Sequence, residues 1–291
     1  MIADSRARFN IGAEAWAEYN QRPLGRIRQE VTWQNLVLNL PMVHDMEHPP
    51  RALDAGGGSG ELALSLVQRG YRVWLSDYAS AMLDQARQGA QSLPADILAR
   101  LTFCQMSVDE AVESFTPRSF DVIACHTLIE YLSDPRASLK ALAGLLRDGG
   151  LLSVSFVNRH AEVLRQAWSK ADPQGALAAL ETDGFCATLF DVPGVAYTAE
   201  EVGGWLREEG LIITGPYGVR VFADYVSRER LDEPDFFEAL LRLEKAVASR
   251  PPYNQLARYI QLLGQKPQRS LGIASAGDGK GAGGRSASGD H

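Results

Sequence analysis

Residues 53–64, LDAGGGSGELAL, place four glycines in five positions directly after a short apolar run. Glycine loses more backbone entropy on folding than any other residue and offers nothing to pack. Such density persists where something must approach the backbone too closely for a Cβ atom. A strand, a glycine-rich turn and a helix in that order frame a nucleotide-like ligand, which lies against the turn and the helix N-terminus. Gly56, Gly58 and Gly60 let the chain turn tightly there. The next apolar run ends in Asp77, about 20 residues on, the distance at which an acid reaches ribose hydroxyls.

The surrounding pattern is α/β. Strands are read at 51–56, 71–77, 101–107, 120–126 and 151–158, with helices at 61–70, 80–93 and 135–150 between them. Apolar strands alternating with helices imply a doubly wound, mostly parallel sheet covered on both faces. Residues 12–40 read as helices broken near QRPLG, a helical cap. Beyond 158 the rhythm breaks, and 159–185 reads as helical and outside the sheet. Thr198 and Glu201 have capping-box spacing and open a helix over 198–210. A strand over 211–225, a helix over 234–249 and a last strand over 257–267 follow. The Gly, Ser and Ala composition after Ser270 predicts disorder. The chain thus divides into a cap (1–50), a ligand-binding core (51–158), a helical insertion or lid (159–197), the rest of the sheet with substrate-side elements (198–268) and a tail (269–291).

Composition excludes several classes. At 45% hydrophobic and 22% charged residues the chain is an ordinary globule. No apolar run has the length of a membrane span, and charges interrupt the first twenty residues where a signal peptide needs its apolar segment, so a cytoplasmic protein is expected. A net charge of −7 opposes broad, nonspecific nucleic-acid binding while leaving room for a local basic groove. Cys104, Cys125 and Cys186 are far apart and read as reduced, partly buried thiols. His44 and His48 are four apart but lack the H-E-x-x-H pattern, and Pro49 and Pro50 end any helix, so no metal is expected. Arg220, Arg228, Arg230, Arg242, Arg250 and Arg258 are interleaved with acids; a solvated face is one reading, and a clamp on an anionic acceptor by Arg220 is the other.

The order D-A-G-G-G-S-G differs from the dinucleotide pattern, and Asp54 at its head would repel phosphates. A cofactor with an amino-acid end fits better. Acid, glycines and ribose-binding Asp together resemble the class I S-adenosylmethionine-dependent methyltransferases. Asp109 in MSVDEA, LLRDGGLLSVSF and YTAEEVGGWLREEGL agree with that family, so the resemblance covers 51 to about 213. It implies a Rossmann-like sheet of seven strands, the last antiparallel.

GRIRQEVTWQNL (25–36), GVRVFADY (218–225) and PPYNQLARYIQLLGQKPQ (251–268) resemble one subgroup more narrowly, the tRNA 5-carboxymethoxyuridine methyltransferases, which esterify a carboxylate on a wobble uridine. Carried over by motif, Arg28, Gly56, Gly57, Asp77, Val108, Asp109 and His126 would contact S-adenosylmethionine, and Asp54, Gly58 and Gly60 of the glycine loop join them as cofactor-site candidates. Arg28 would pair with the methionine carboxylate, Asp77 with the ribose, Val108 and Asp109 with the adenine edge. His126, at the C-terminal end of the fourth strand, would line the methionine end or touch the acceptor. Arg220 and Tyr225 join it as candidates for handling the acceptor. Between 160 and 197 the chain departs from the subgroup, carrying a neutral to acidic stretch in place of a lysine-rich run. Three readings therefore stay open: O-methylation of a modified tRNA uridine or related carboxylate, the same chemistry on a small metabolite, and a noncatalytic cofactor-binding regulator.

Overall fold

The computed structural model describes residues 5–268, and the expected disordered tail lies outside the described residues. Its strands are β1 (Arg51–Ala55), β2 (Arg72–Asp77), β3 (Leu101–Gln105), β4 (Phe120–His126), β5 (Leu146–Val157), β6 (Gly184–Ala187), β7 (Val192–Val195), β8 (Ile212–Val219) and β9 (Tyr259–Gln265). Seven of them form one sheet in the order β3-β2-β1-β4-β5-β9-β8. β1 to β5 pair in parallel, and β9 runs antiparallel to both β5 and β8. This is the doubly wound sheet with an antiparallel last strand that the sequence implied. Successive residues face opposite layers: Leu53 and Ile123 enter one buried cluster, Ala52 and Val122 the other. Strand order reverses at β1, between β2 and β4, which opens a crevice at the carboxyl ends of β1 and β4.

Two helices precede the sheet, α1 (Ser5–Gln21) and α2 (Pro23–Val37). Pro23 sits in the first turn of α2, where its missing N–H costs nothing. A Cβ on Gly25 would lie 2.2 Å from the Tyr19 carbonyl oxygen, so glycine lets α2 start tightly against α1. α3 (Glu61–Gln68) and α4 (Ser80–Ala90) follow β1 and β2.

Three boundaries differ from the sequence reading. The fifth strand begins at Leu146, not 151, and the helix before it covers Pro135–Leu145. Its apolar spacing runs on into Leu146, but that residue is extended and pairs with Phe120; the register then breaks and resumes at Val122 and Leu151. Residues 159–197 are not wholly helical. Short helical turns at Arg159–Leu164, Arg165–Ser169 and Pro173–Leu180 give way to the antiparallel hairpin β6–β7. Each of its strands is only four residues long, too short to show a period of two.

The strand expected over 211–225 stops at Val219. Arg220 takes a left-handed φ of +64°, and the chain turns through Val221 and Phe222 into Ala223–Tyr225. The helix Pro234–Val247 holds that turn from beneath. Its Glu244 is 0% exposed and accepts the backbone N–H groups of Val221 (2.7 Å), Phe222 (2.8 Å) and Ala223 (2.8 Å). Removing that carboxylate strands two buried donors and one part-buried donor, a buried one costing roughly 1–3 kcal/mol. Urea unfolding of Glu244→Ala should therefore show a loss of about 3 kcal/mol or more; a loss below about 1 kcal/mol would mean that the turn repairs its own hydrogen bonds.

Candidate functional site

The glycine loop leaves β1 at the strand-order reversal. Gly56 N–H and Gly57 N–H both donate to the Ser76 carbonyl, at 2.8 and 3.1 Å, binding the loop to β2. Gly56, Gly58 and Gly60 have φ of +67°, +56° and +81°. A Cβ on Gly56 would meet Leu128 at 2.8 Å, and one on Gly57 would meet Leu75 at 2.2 Å and the Asp54 carboxyl at 2.6 Å. Gly60 points inward against Leu75 and Ala86 and starts α3. The loop backbone, stripped of side chains, forms the wall between two adjoining cavities of about 700 and 310 Å³, and Trp16, Gly56, Gly58 and Thr127 line both.

The larger cavity brings Gly58, Asp77, Val108 and Asp109 together with Arg220, Asp224, Arg258 and Tyr259 in one lining. Asp77 closes β2; its Oδ2 accepts from Gly58 N–H at 3.0 Å and its Oδ1 from Ala79 N–H at 2.9 Å. Burial pushes its pKa up to about 6, against those two bonds. Val108 and Asp109 occupy the first turn of the helix Val108–Ser114, whose start Ser107 and Glu110 fix as a capping box. Phe9, Trp16 and Tyr19 of α1 cover this cavity together with Phe190 of the hairpin turn, whose ring stands 4.6 Å from Phe9 and 5.5 Å from Trp16. Arg8 reaches Asp191 across the same junction at 2.5 Å. These cover residues were not singled out in the sequence; the aromatic spacing of FNIGAEAWAEY was the available signal.

The smaller cavity collects opposite charges. Arg28 of α2 lies 4.3 Å over the Trp16 ring and donates to Asn20 Oδ1 at 2.8 Å, while Asn20 donates to Glu61 Oε1 at 2.7 Å. Asp54, Glu61 and His126 share the lining. Asp54 is buried, its Oδ2 has no hydrogen-bond partner, and burial with Glu61 and Asp77 nearby raises its pKa to about 7. A cavity lined by a guanidinium and by a carboxyl with one unpartnered oxygen suits a group bearing both an ammonium and a carboxylate, as an amino acid does.

His126 bonds through Nε2 to Ser153 Oγ at 2.8 Å, and Ser153 in turn accepts from Gln261 at 3.0 Å. Ser153 thus has its own proton to place on Nε2, leaving a neutral imidazole with its proton on Nδ1. Burial, with Arg28 beside it, lowers the pKa to about 3. The ring lines the smaller cavity and not the larger one, which Arg220 lines.

The arginine series splits. Arg228, Arg230, Arg242 and Arg250 are exposed, whereas Arg220 and Arg258 line the larger cavity. Arg220 is 5% exposed; Nε donates to Asp224 Oδ2 at 2.9 Å, Nη2 to Asp224 Oδ1 and Nη1 to the Tyr19 hydroxyl. Burial opposes its charge, but Asp224, Tyr19 and Tyr259 more than offset this and hold the pKa above its usual value. Asp224 already takes two of the five guanidinium N–H groups. Arg258 donates to Glu162 Oε2 at 2.8 Å, and Arg165 binds the same carboxylate. Tyr225 does not line either cavity and packs against Trp168 instead.

Among the described residues no group of three His, Cys, Asp or Glu side chains could hold a metal, and His48 instead meets exposed Asp45 at 2.9 Å. The three cysteines are free, Cys186 on the surface rather than part-buried. Among the described residues no helix is long and apolar enough to cross a membrane.

Residues 53–154 match a family model described as a methyltransferase domain. The chain is 34% identical over 246 residues to tRNA 5-carboxymethoxyuridine methyltransferase of Escherichia coli strain K12, covering 84% of this chain and 90% of that protein. It is 27% identical over 216 residues to a ubiquinone biosynthesis O-methyltransferase of Stutzerimonas stutzeri, covering 73% of this chain and 84% of that one. The crystal structure of a SAM-dependent methyltransferase from Thermotoga maritima superposes with a TM-score of 0.56 at 16% identity, over 90% of this chain and 99% of that one, a likeness of fold.

The carboxyl of Asp54 has a pH signature of its own. With a folded pKa near 7 and an unfolded one near 3.9, the folded chain keeps a proton that the unfolded chain has released. Stability therefore falls as pH rises from about 4 to about 7, and the full cost is present above 7. Asp54→Asn removes it. Urea unfolding at pH 5 and pH 8 should show the variant gaining on the wild type by on the order of 2 kcal/mol between the two. Parallel profiles would place Asp54 in a wetter site.

Proposed function

The chain belongs to the class I S-adenosylmethionine-dependent methyltransferases, in the group of the tRNA 5-carboxymethoxyuridine methyltransferases, and from that premise we propose that it esterifies the carboxylate of 5-carboxymethoxyuridine at the tRNA wobble position. The observation that carries this reading is Arg220, buried, charged and lining the larger cavity that Asp77 also lines. After Asp224 and Tyr19 have taken three of its five N–H groups, two remain for an anionic acceptor.

S-adenosylmethionine supplies, when bound, a methyl group on a positively charged sulfur. For this chain the roles follow the two cavities. Arg28 would hold the methionine carboxylate, and Asp54 would face the ammonium. Asp77 would take the ribose hydroxyls with the lone pairs left free by Gly58 and Ala79. The Val108 backbone and Asp109 would read the adenine edge, and Gly56, Gly57 and Gly58 would let the sulfur end pass between the cavities, with Gly60 shaping the turn. A carboxylate is ionised at neutral pH and needs no general base, so the protein's work is alignment and exclusion of water. A histidine held neutral down to a pKa of about 3 agrees with that. The α1 aromatics and the hairpin supply the cover.

A second reading, a small carboxylate metabolite as acceptor, is favoured by one observation. Residues 160–197 carry two cations, Arg165 and Lys170, against five acids, a weak grip on phosphates. The deciding experiment is mass spectrometry of tRNA nucleosides from cells with and without the gene, backed by methylation of purified tRNA. Loss of the methyl ester supports the tRNA reading. Unchanged nucleosides overturn it in favour of the metabolite. A tRNA substrate would place the enzyme in the cytoplasm.

Two variants test the roles. Calorimetry should show Asp77→Ala binding S-adenosylmethionine at least about tenfold more weakly, since charge-assisted hydrogen bonds are worth roughly 1.5–3 kcal/mol each; wild-type affinity would remove Asp77 from the ribose. His126→Asn should keep kcat within about tenfold. A fall of about 10²–10⁴ is what losing a general base gives, and would return His126 to the proton-transfer role.

A further inference from the structure

An aromatic pair at the rim of the larger cavity has no part in the roles above. Trp168 is 68% exposed and Tyr225 37% exposed, their rings 5.4 Å apart and nearly perpendicular at 86°. Trp168 lies in the π-helical turn Arg165–Ser169, a geometry that often marks functional sites. Ser169 Oγ donates to the Asp224 carbonyl at 3.3 Å and so fixes that turn to the Arg220 loop. Arg165, three residues before Trp168, and Asp224, next to Tyr225, both line the cavity. The pair is therefore carried by two segments that also supply lining residues of the larger cavity.

An indole is costly to leave in water, and an edge-to-face contact covers at most one of its faces. The other is open to a flat partner. Lys170 and Arg228, both exposed, follow Trp168 and Tyr225 by two and three residues along the chain. Cations beside an open aromatic face are the combination that holds unpaired bases of single-stranded RNA. We propose that Trp168, braced by Tyr225, is a stacking platform for an unpaired base of the acceptor RNA, next to the nucleotide that is methylated. The proposal rests on the RNA reading above. It also accounts for how a chain with only Arg165 and Lys170 against five acids in residues 160–197 holds RNA, because stacking adds sequence-tolerant affinity beyond the phosphate contacts.

The test is kinetic, with an anticodon stem-loop carrying 5-carboxymethoxyuridine at the wobble position. Trp168→Ala should raise KM for this RNA by about tenfold with little change in kcat, and Trp168→Phe should restore most of the loss. Affinity for S-adenosylmethionine, read by calorimetry, should match the wild type, which shows that the surface substitution leaves the fold intact. Stem-loops with an abasic site on one side or the other of the wobble nucleotide complete a double-mutant cycle. One of them should lose the same factor with the wild type and nothing further with Trp168→Ala. Losses that multiply for both abasic positions, or a Trp168→Ala enzyme equal to the wild type, overturn the platform while leaving the RNA reading in place. A wild-type enzyme that leaves the stem-loop unmethylated overturns the RNA reading, and the platform with it.

Discussion

The structure depends on the absence of Cβ atoms where β1 hands over to α3. Gly57 packs so closely on Leu75 and Asp54 that any side chain would displace one of them. Gly56 and Gly57 meanwhile give both N–H groups to Ser76 of the neighbouring strand. The loop is thereby fixed to two central strands by its own backbone. Because nothing projects from it, it can serve as wall for two cavities at once. The rest of the site is arranged around that bare ribbon of chain: Asp54 below it, Asp77 hydrogen-bonded to Gly58, and α1 laid across the top.

Charge is partitioned between the two cavities by burial. The smaller holds Arg28 with Asp54 and Glu61; the larger holds Asp77, Arg220, Asp224 and Arg258. Taking such groups out of water is costly unless each is paired. Arg220 satisfies the condition with Asp224 and Tyr19, and Arg258 does so with Glu162. Asp54 does not, and its orphaned oxygen is the observation behind the proposal that a cationic group faces it. The same logic explains Glu244, which has no place in either cavity. Its three backbone hydrogen bonds hold the turn that aims Arg220, so a helix on the far side of that turn decides where the guanidinium sits.

Much of the core was legible because its signals are local. The strand–glycine–helix order around 53–64, the Thr198–Glu201 capping box and the strand ending in Asp77 each depend on residues a few positions apart, and each lies where its pattern put it. What failed were features with no local period. The hairpin within 184–195 is too short to alternate visibly, and Leu146 continues a helical apolar spacing while pairing with Phe120 across the sheet. Arg220 was read within a strand, yet it leaves that strand through a left-handed residue held by a glutamate twenty-four positions later. Arg228, Arg230, Arg242 and Arg250 look like Arg220 and Arg258 in sequence, since burial of a charge is decided by what folds over it.

By itself, then, the sequence determined the α/β class, the order of the central elements and the place where a ligand meets bare backbone, because short-range spacing encodes all three. Only the tertiary structure decided which charges share a cavity, that His126 stays neutral beside Ser153, that Tyr225 leaves the site to pack on Trp168, and that α1 and the hairpin meet to cover it. Those outcomes join residues as far apart as Tyr19 and Arg220 or Phe9 and Phe190. Desolvation and pairing are properties of a position in space, and no periodicity along the chain carries them.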